Sequence, residues 1–551
     1  MGRVFAVFHN GIENLHSAAY VLAGAALLSQ LLALVRDRML AHAFGASAAL
    51  DVYYAAFRVQ DFIYLSIASL VSLSVLLPLI VEKEKDKEEL RKFLSRVASA
   101  FFMAVIAGSL VAFFFSPYIV EAVFGGLLGR GYDTELLFLT RLLLISPAIL
   151  GLSSILGAVV QAEQRFILYA MSPVLYNLGI ISGIFFLAPE YGIVGVGFGV
   201  ILGAFLHLLI QVPFLYRRNL LPLPTWNFSL PELKVISSLS IPRTLSLSLS
   251  HISLVVLTAL AAFGEEGSIS VFGFALNLQS APLAVIGASY SMAAFPALAR
   301  LWAGGEVEAF KDKAITALRH IFFWALPAVS IIIVLRAHIV RVVLGTGAFD
   351  WTDTRLTAAC LAVFSVSILF QSVILLLTRA YYASGETRAP LYSAVLGASL
   401  TVILAFLFSS WFSSSMFFRD FLEALLRVEG LSGTGILVYP LSYSLGSAVA
   451  TIFLLYSFVR RFGGLRHILS SFALHFSASV IISFSCYQLL MFLAEWLPTE
   501  TGPGLFFQAL IAGIVGIGVG IFVLYSLRSE ELSEVFRSLK ARLPFTGVFA
   551  E

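Results

Sequence analysis

Six charged side chains, Arg36, Asp37, Arg38, Asp51, Arg58 and Asp61, lie within residues 34–62, which read LVRDRMLAHAFGASAALDVYYAAFRVQDF and are otherwise largely apolar. A lone charge at the centre of a bilayer costs roughly 2.5 to 3.5 kcal/mol on insertion scales, so charges in spanning segments face a cavity, a partner or a substrate. Arginine suits a phosphate because its planar guanidinium offers several donors in a fixed fork and stays charged. A turn near residues 45–49 would bring Arg36 and Arg58 to comparable depth in one hairpin. From the residues alone two readings stay open. One is a shared phosphate-binding cavity; the other is a structural network in which three acids neutralise three bases.

A second set lies further along the chain. Arg243 follows Pro242 and precedes Ser246, Ser248, Ser250 and Ser253; Asn277 and Gln279 come after them. Serines in a membrane helix also permit close packing, whereas an arginine is costlier to bury and points more strongly to a site. No histidine, carboxylate or cysteine cluster has metal-ligand spacing, and Cys360 and Cys486 sit in apolar runs as small hydrophobes. No metal or cofactor is expected. No GxxxxGK[ST] loop occurs, so transport would draw on an ion gradient, the membrane potential or consumption of product. Residues 391–409 and 436–456 hold no carboxylate to mark a coupling ion.

The elements that must position these residues are membrane helices. Of 551 residues, 59% are hydrophobic and only 12% charged, more apolar surface than a soluble fold can hide. Each crossing needs about 20 apolar residues. The runs predict fourteen spans near 15–43, 49–81, 93–117, 135–160, 167–187, 191–216, 233–263, 267–299, 314–335, 354–378, 388–411, 433–459, 468–494 and 504–527. The fold class expected is therefore an all-α polytopic membrane protein. The N-terminal MGRVFAVFHNGIENL lacks the long apolar core of a cleaved signal peptide. A net charge of +3 offers no basic surface for nucleic acid.

Lys83, Lys87, Arg217, Arg218, Arg460 and Arg461 fall in one set of loops, and Glu265, Glu266, Asp350 and Asp353 in the other. That bias places both termini in the cytoplasm. Arg130, Arg336, Arg341, Arg355, Arg419 and Arg427 run against it. An internal repeat pairs Ala56 with Ala275, Arg58 with Asn277, Gln60 with Gln279 and, within a residue of slippage, Pro78 with Pro296. The offset is six spans, so both copies cross in the same direction, as in transporters with a site between two lobes. The expected organisation is a lobe at 1–218, a second at 219–462, two added spans at 463–527 and a cytoplasmic tail at 528–551. The tail has a short amphipathic pattern suited to a structural place on the inner membrane surface.

Residues 34–62 resemble the first hairpin of the MurJ-type (MviN) lipid II flippases of the MOP exporter superfamily. TRAYYASGETRAPLYSA at 378–394 resembles the junction of that family's tenth and eleventh spans, and PALAR at 296–300 the end of its eighth. The likeness covers most of the first twelve spans, and fourteen spans agree with this family rather than with twelve-span drug exporters. The resemblance implies two six-helix lobes around a central cavity that opens alternately inward and outward. It implies lipid II as substrate, an undecaprenyl-pyrophosphate-linked peptidoglycan precursor moved to the outer leaflet of the bacterial plasma membrane. Membrane lipids and cell-wall synthesis proteins would be its partners. Arg36 then matches a cavity arginine, Asp51 an acidic position and Arg58 a basic one, and the added spans form a groove for the lipid tail. The chain departs from the family at Gln30, at Tyr64 and Leu65, and at Asn277, where basic residues are usual, leaving Arg36, Arg38, Arg58 and Arg243 to hold the pyrophosphate. Alternatives are export of another polyprenyl-linked oligosaccharide or of drugs, and a membrane-embedded polyprenyl-phosphate transferase. The last would need a paired-carboxylate metal site or a catalytic His/Asp loop.

Overall fold

A computed structural model describes residues 15–68, 76, 79–80, 83, 86–227, 229–498 and 501–542; the side chains of residues 15–23, 538–542 and several between 230 and 247 are outside that description. Pro78 of the repeat, and much of the second expected span beyond residue 68, lie outside it too. The described residues form helices and no strand. Helices α1 (Leu15–Phe44) and α2 (Ala48–Ala68) make the first hairpin. Next come α3 (Lys87–Phe124), α4 (Asp133–Leu143), α5 (Ser146–Ala162), α6 (Phe166–Ser182), α7 (Ile193–Leu209) and α8 (Leu230–Ala261). A π-helical turn joins α9 (Ser268–Leu283) to α10 (Ser289–Ala303). They are followed by α11 (Val307–Leu344), α12 (Trp351–Ala383), α13 (Arg388–Ser414), α14 (Met416–Leu426) and α15 (Val438–Phe462). Helices α16 (Leu465–Leu493), α17 (Gly502–Ser526) and α18 (Glu530–Arg542) complete the chain.

Eleven helical stretches among the described residues are long and apolar enough to cross a membrane, against the fourteen spans expected. Helices α1, α2 and α8 are outside that set and lie where spans one, two and seven are expected; α2 carries Asp51, Arg58 and Asp61 within 21 residues. The span expected at 135–160 is two helices, because Pro147 opens α5 and has no N–H to continue α4. Helix α14 occupies a stretch expected to be loop.

The chain divides into two compact units, residues 1–273 with 343–353, and residues 274–342 with 354–551. In the first, Phe93, Leu94, Val97 and Phe101 of α3 pack on Ile155, Leu156 and Val159 of α5. Helix α6 and the π-helical turn that follows it meet α7 backbone to backbone: a Cβ on Gly179 would stand 2.2 Å from Gly203 Cα, and one on Gly183 2.5 Å from Gly199 Cα. Small residues four apart allow this approach, and packing replaces the hydrophobic effect as the driving force within lipid. Gly203→Val is expected to destabilise the protein by about 3 kcal/mol, the upper end for overpacking, read as a lower midpoint of thermal unfolding in detergent.

In the second unit, Leu318, Ile321 and Phe322 of α11 pack on Leu376 and Leu377 of α12 and on Phe458 of α15. Helix α18 docks here through its acidic face. Glu531 accepts from Arg319 Nε at 2.7 Å and Ser471 Oγ at 3.2 Å, while Glu530 accepts from Arg319 Nη2 at 2.6 Å and Glu534 meets His320 Nε2 at 2.8 Å. Burial alone would raise the Glu531 carboxyl, but hydrogen bonds from Arg319 and Ser529 hold it down at about 2. Its folded value is depressed, so its contribution to docking is full above the ordinary glutamate value of about 4.3. That contribution is lost as pH falls through about 2. Proteolysis of the tail is expected to stay slow at pH 5 and to accelerate toward pH 2, and Glu531→Gln should reduce the difference while the Glu530 and Glu534 contacts remain.

Candidate substrate site

The first hairpin turns at Gly45, whose φ of +62° and position against Ala348 O, 2.6 Å from where a Cβ would be, exclude a side chain. On α1, Arg36 donates from Nε (2.9 Å) and Nη2 (2.8 Å) to one oxygen of Asp37, and from Nη1 to Asn177 Oδ1 of α6 at 3.2 Å. Asn177 in turn donates to Ser29 Oγ at 3.2 Å and Pro173 O at 3.1 Å, which fixes its orientation. The Arg36 side chain is 18% exposed and that of Asp37 only 3%. A guanidinium has five N–H donors, so Arg36 keeps capacity for an anion beyond these partners.

On α2, Arg58 donates from Nε to Thr258 Oγ1 of α8 at 3.3 Å. Asp61 follows three residues later on the same helix face, within electrostatic reach of Arg58. Tyr53 and Tyr176 feel both Arg36 and Asp61, so the two charged pairs belong to one polar neighbourhood. Tyr54 feels Arg36 and Arg58 alike. The Tyr64 hydroxyl bonds Ser154 Oγ at 3.1 Å, and Ser66 meets Ser248 at 3.4 Å. Sequence reasoning missed Tyr53, Tyr54, Tyr176 and Asn177. The available signals were an adjacent tyrosine pair on the charged helix and a lone amide in the apolar α6.

Asp51 and Arg38 stand elsewhere. The buried Asp51 carboxylate accepts from Gly267 N (2.8 Å), Ser270 N (2.7 Å) and Ser270 Oγ (2.7 Å). It caps the start of α9, where free N–H groups and the helix dipole favour an anion. The repeat register pairs Asp51 with Ser270 and Tyr54 with Gly273, and a Cβ on Gly273 would lie 3.1 Å from the Tyr54 ring. Equivalent positions of the two copies therefore touch, as at an isologous contact.

Arg38 Nη1 donates to Val343 O at 3.0 Å, in the last turn of α11. Around it, His42 O accepts from Ala348 N at 3.0 Å, His42 Nδ1 meets Thr346 Oγ1 at 3.1 Å, and Asp353 Oδ2 accepts from Ala46 N at 3.1 Å. On the other copy's turn, Arg130 Nη2 donates to Ala262 O (2.9 Å) and Gly264 O (2.6 Å), just beyond α8. Each hairpin turn is thus held by a loop from the opposite copy.

Two arginines and two aspartates remain around the tyrosines, so the cluster balances its own charge. The side chain of Arg243 lies outside the described residues. In the second unit, Asn277 O accepts from Ser280 Oγ at 2.7 Å. Gln279 is 2% exposed and its repeat mate Gln60, in the first unit, 1%; neither Oε1 has a hydrogen-bond partner among the described residues.

A family model described as Lipid II flippase MurJ matches residues 40–511, most of the chain and the whole of α2 to α16. This chain belongs to the MurJ family of lipid II flippases. A probable lipid II flippase MurJ of Haemophilus influenzae is 30% identical over 383 residues, covering 66% of this chain and 75% of that relative. The fold matches a solved MurJ flippase titled as an inward closed conformation with TM-score 0.72 at 22% identity, over 92% of this chain and 99% of the other. A multidrug MATE transporter of the MOP superfamily, in an inward-facing conformation, aligns with TM-score 0.61 at 16% identity, over 79% and 95% of the two chains. MurJ membership makes the chain a multi-pass membrane transporter rather than an enzyme.

Proposed function

We propose that this chain moves lipid II from the inner to the outer leaflet of the bacterial inner membrane by alternating access, a step in exporting the peptidoglycan precursor. The observation that carries the reading is the MurJ match across α2, the helix that holds Arg58 and Asp61 beside the Arg36–Asp37 pair. Arg36 and Arg58 hold the pyrophosphate, with hydroxyl donors from Tyr53, Tyr54 and Tyr176 and a further cation from Arg243 on α8. Asp37 and Asp61 keep the empty cluster neutral, which lets it be buried without a standing charge.

Both termini face the cytoplasm in this reading, and the lobes are residues 1–218 and 219–462. Residues 463–527 form the groove for the undecaprenyl tail, and an ion gradient or the membrane potential drives the cycle. Cell-wall synthesis proteins would receive the delivered substrate. The test is complementation of a strain depleted of its lipid II flippase, combined with a leaflet assay for lipid II. Growth with precursor reaching the outer leaflet supports the reading; precursor held in the inner leaflet despite normal expression rejects it.

A further inference from the structure

Several arginines break the positive-inside bias, and three of them, Arg336, Arg355 and Arg427, converge at the C-terminal end of α14. Arg336 donates to Leu426 O at 3.4 Å and to Ile333 O at 2.9 Å; Arg355 donates to Arg427 O at 2.7 Å. Arg427 ends α14 in the left-handed conformation, φ 60° and ψ 46°, where glycine is usual. Its guanidinium donates to the Tyr487 hydroxyl at 3.3 Å and stands 5.9 Å from the centre of that ring. Arg336 and Arg427 are close enough to repel each other. Among the described residues none of the three has a carboxylate within 4 Å: Asp420 pairs with Arg419 at 3.6 Å, and Glu423 accepts from Thr434 Oγ1 at 2.6 Å. Three cations gathered with no carboxylate in reach among the described residues form a site for an anion, and among those residues most donors on Arg355 and Arg427 have no hydrogen-bond partner.

Helix α14 says what kind of anion reaches it. Its Phe418 and Leu422 are buried while Met416, Phe417, Phe421 and Leu425 are 68%, 79%, 54% and 62% exposed. Such a short helix, apolar along an exposed edge and charged at Arg419, Asp420 and Glu423, lies in the plane of the membrane surface with that edge among the acyl chains. Trp411, stacked on Phe418 at 4.1 Å, is the aromatic expected at this level. Arg427, at the end of this helix, then sits among lipid headgroups. We propose that Arg336, Arg355 and Arg427 bind the phosphate of an anionic glycerophospholipid in the outer leaflet. A zwitterionic lipid brings its own cation to the site and is disfavoured.

Only the leaflet rests on the orientation proposed above; the affinity for phosphate does not. The test uses the purified full chain in nanodiscs of phosphatidylcholine with a minor share of phosphatidylglycerol, and measures the lipid retained after transfer to detergent. The chain is expected to retain phosphatidylglycerol preferentially. Arg355→Gln with Arg427→Gln should weaken retention about tenfold or more, as loss of charge-assisted hydrogen bonds predicts. Arg419→Gln should leave it unchanged, and the exposed single variant Arg427→Gln serves if the double variant does not fold. Equal retention by the wild type and these variants overturns the site. Complete displacement by an equal concentration of inorganic phosphate overturns the lipid as its ligand. A Glu429→Cys variant labelled by an impermeant maleimide on intact cells supports the outer leaflet, and labelling only after lysis overturns it. None of these readouts depends on flipping, so failed complementation with intact lipid retention would reject the transport reading alone.

Discussion

Arg36→Ala is expected to abolish lipid II flipping, and adding Asp37→Ala is expected to restore the folded protein without restoring transport. The single substitution removes the guanidinium that makes two hydrogen bonds to a carboxylate whose side chain is 3% exposed. Breaking a buried pair from one side costs about 3–5 kcal/mol, because the remaining charge stays where water cannot reach it. The second substitution removes that charge. Thermal unfolding in detergent and complementation of a depleted strain then read different things: the first should recover in the double variant, the second should not. Growth supported by the double variant would assign Arg36 to structure alone. Arg36→Lys keeps the charge but loses the fork that serves Asp37 and Asn177 together, so partial transport is the expected result.

The second large effect belongs to Asp51. Asp51→Ala strands two backbone N–H groups at the start of α9, both bonded to this one carboxylate, and leaves the Ser270 hydroxyl to its longer bond to Ser47 O at 3.4 Å. A lost cap costs about 0.5–2 kcal/mol, and buried donors left without a charged acceptor add to it, giving about 3 kcal/mol in all. Asp51→Asn should recover part of this, since the amide oxygen still accepts. The midpoint of thermal unfolding checks both variants, and an unchanged midpoint for Asp51→Ala would mean that α9 does not depend on this cap.

The helices were largely legible because apolar runs of membrane length leave few other structures open to a chain. The charged hairpin was legible for the same reason, since each charge there must be accounted for. The partners were not. Arg38 meets Val343 across 305 residues and Arg58 meets Thr258 across 200, separations that no local pattern encodes. One consequence is that residues alike in type have unlike work: Arg36 and Arg58 join the tyrosine cluster, whereas Arg38 and Asp51 hold helix ends. Asn177 stands out in the sequence as a lone amide in the apolar α6, but its partner Arg36 is known only from the packing of α6 on α1. Helix α14 was missed because eleven residues are too few for a span and its pattern is that of a surface helix.

The bond between Asp51 and Ser270 also sets a schedule for synthesis, since 219 residues separate the two. A ribosome adding about 5–20 residues per second needs roughly 10 to 45 s to cover that distance. Through that interval the first hairpin is already made, yet the helix that Asp51 caps does not exist. The loop at 343–353 that grips the same hairpin comes later still. The charged hairpin must therefore be kept hydrated or sheltered by the insertion machinery until the middle of the chain arrives, and slowing translation between α2 and α9 should lengthen its exposure to membrane proteases.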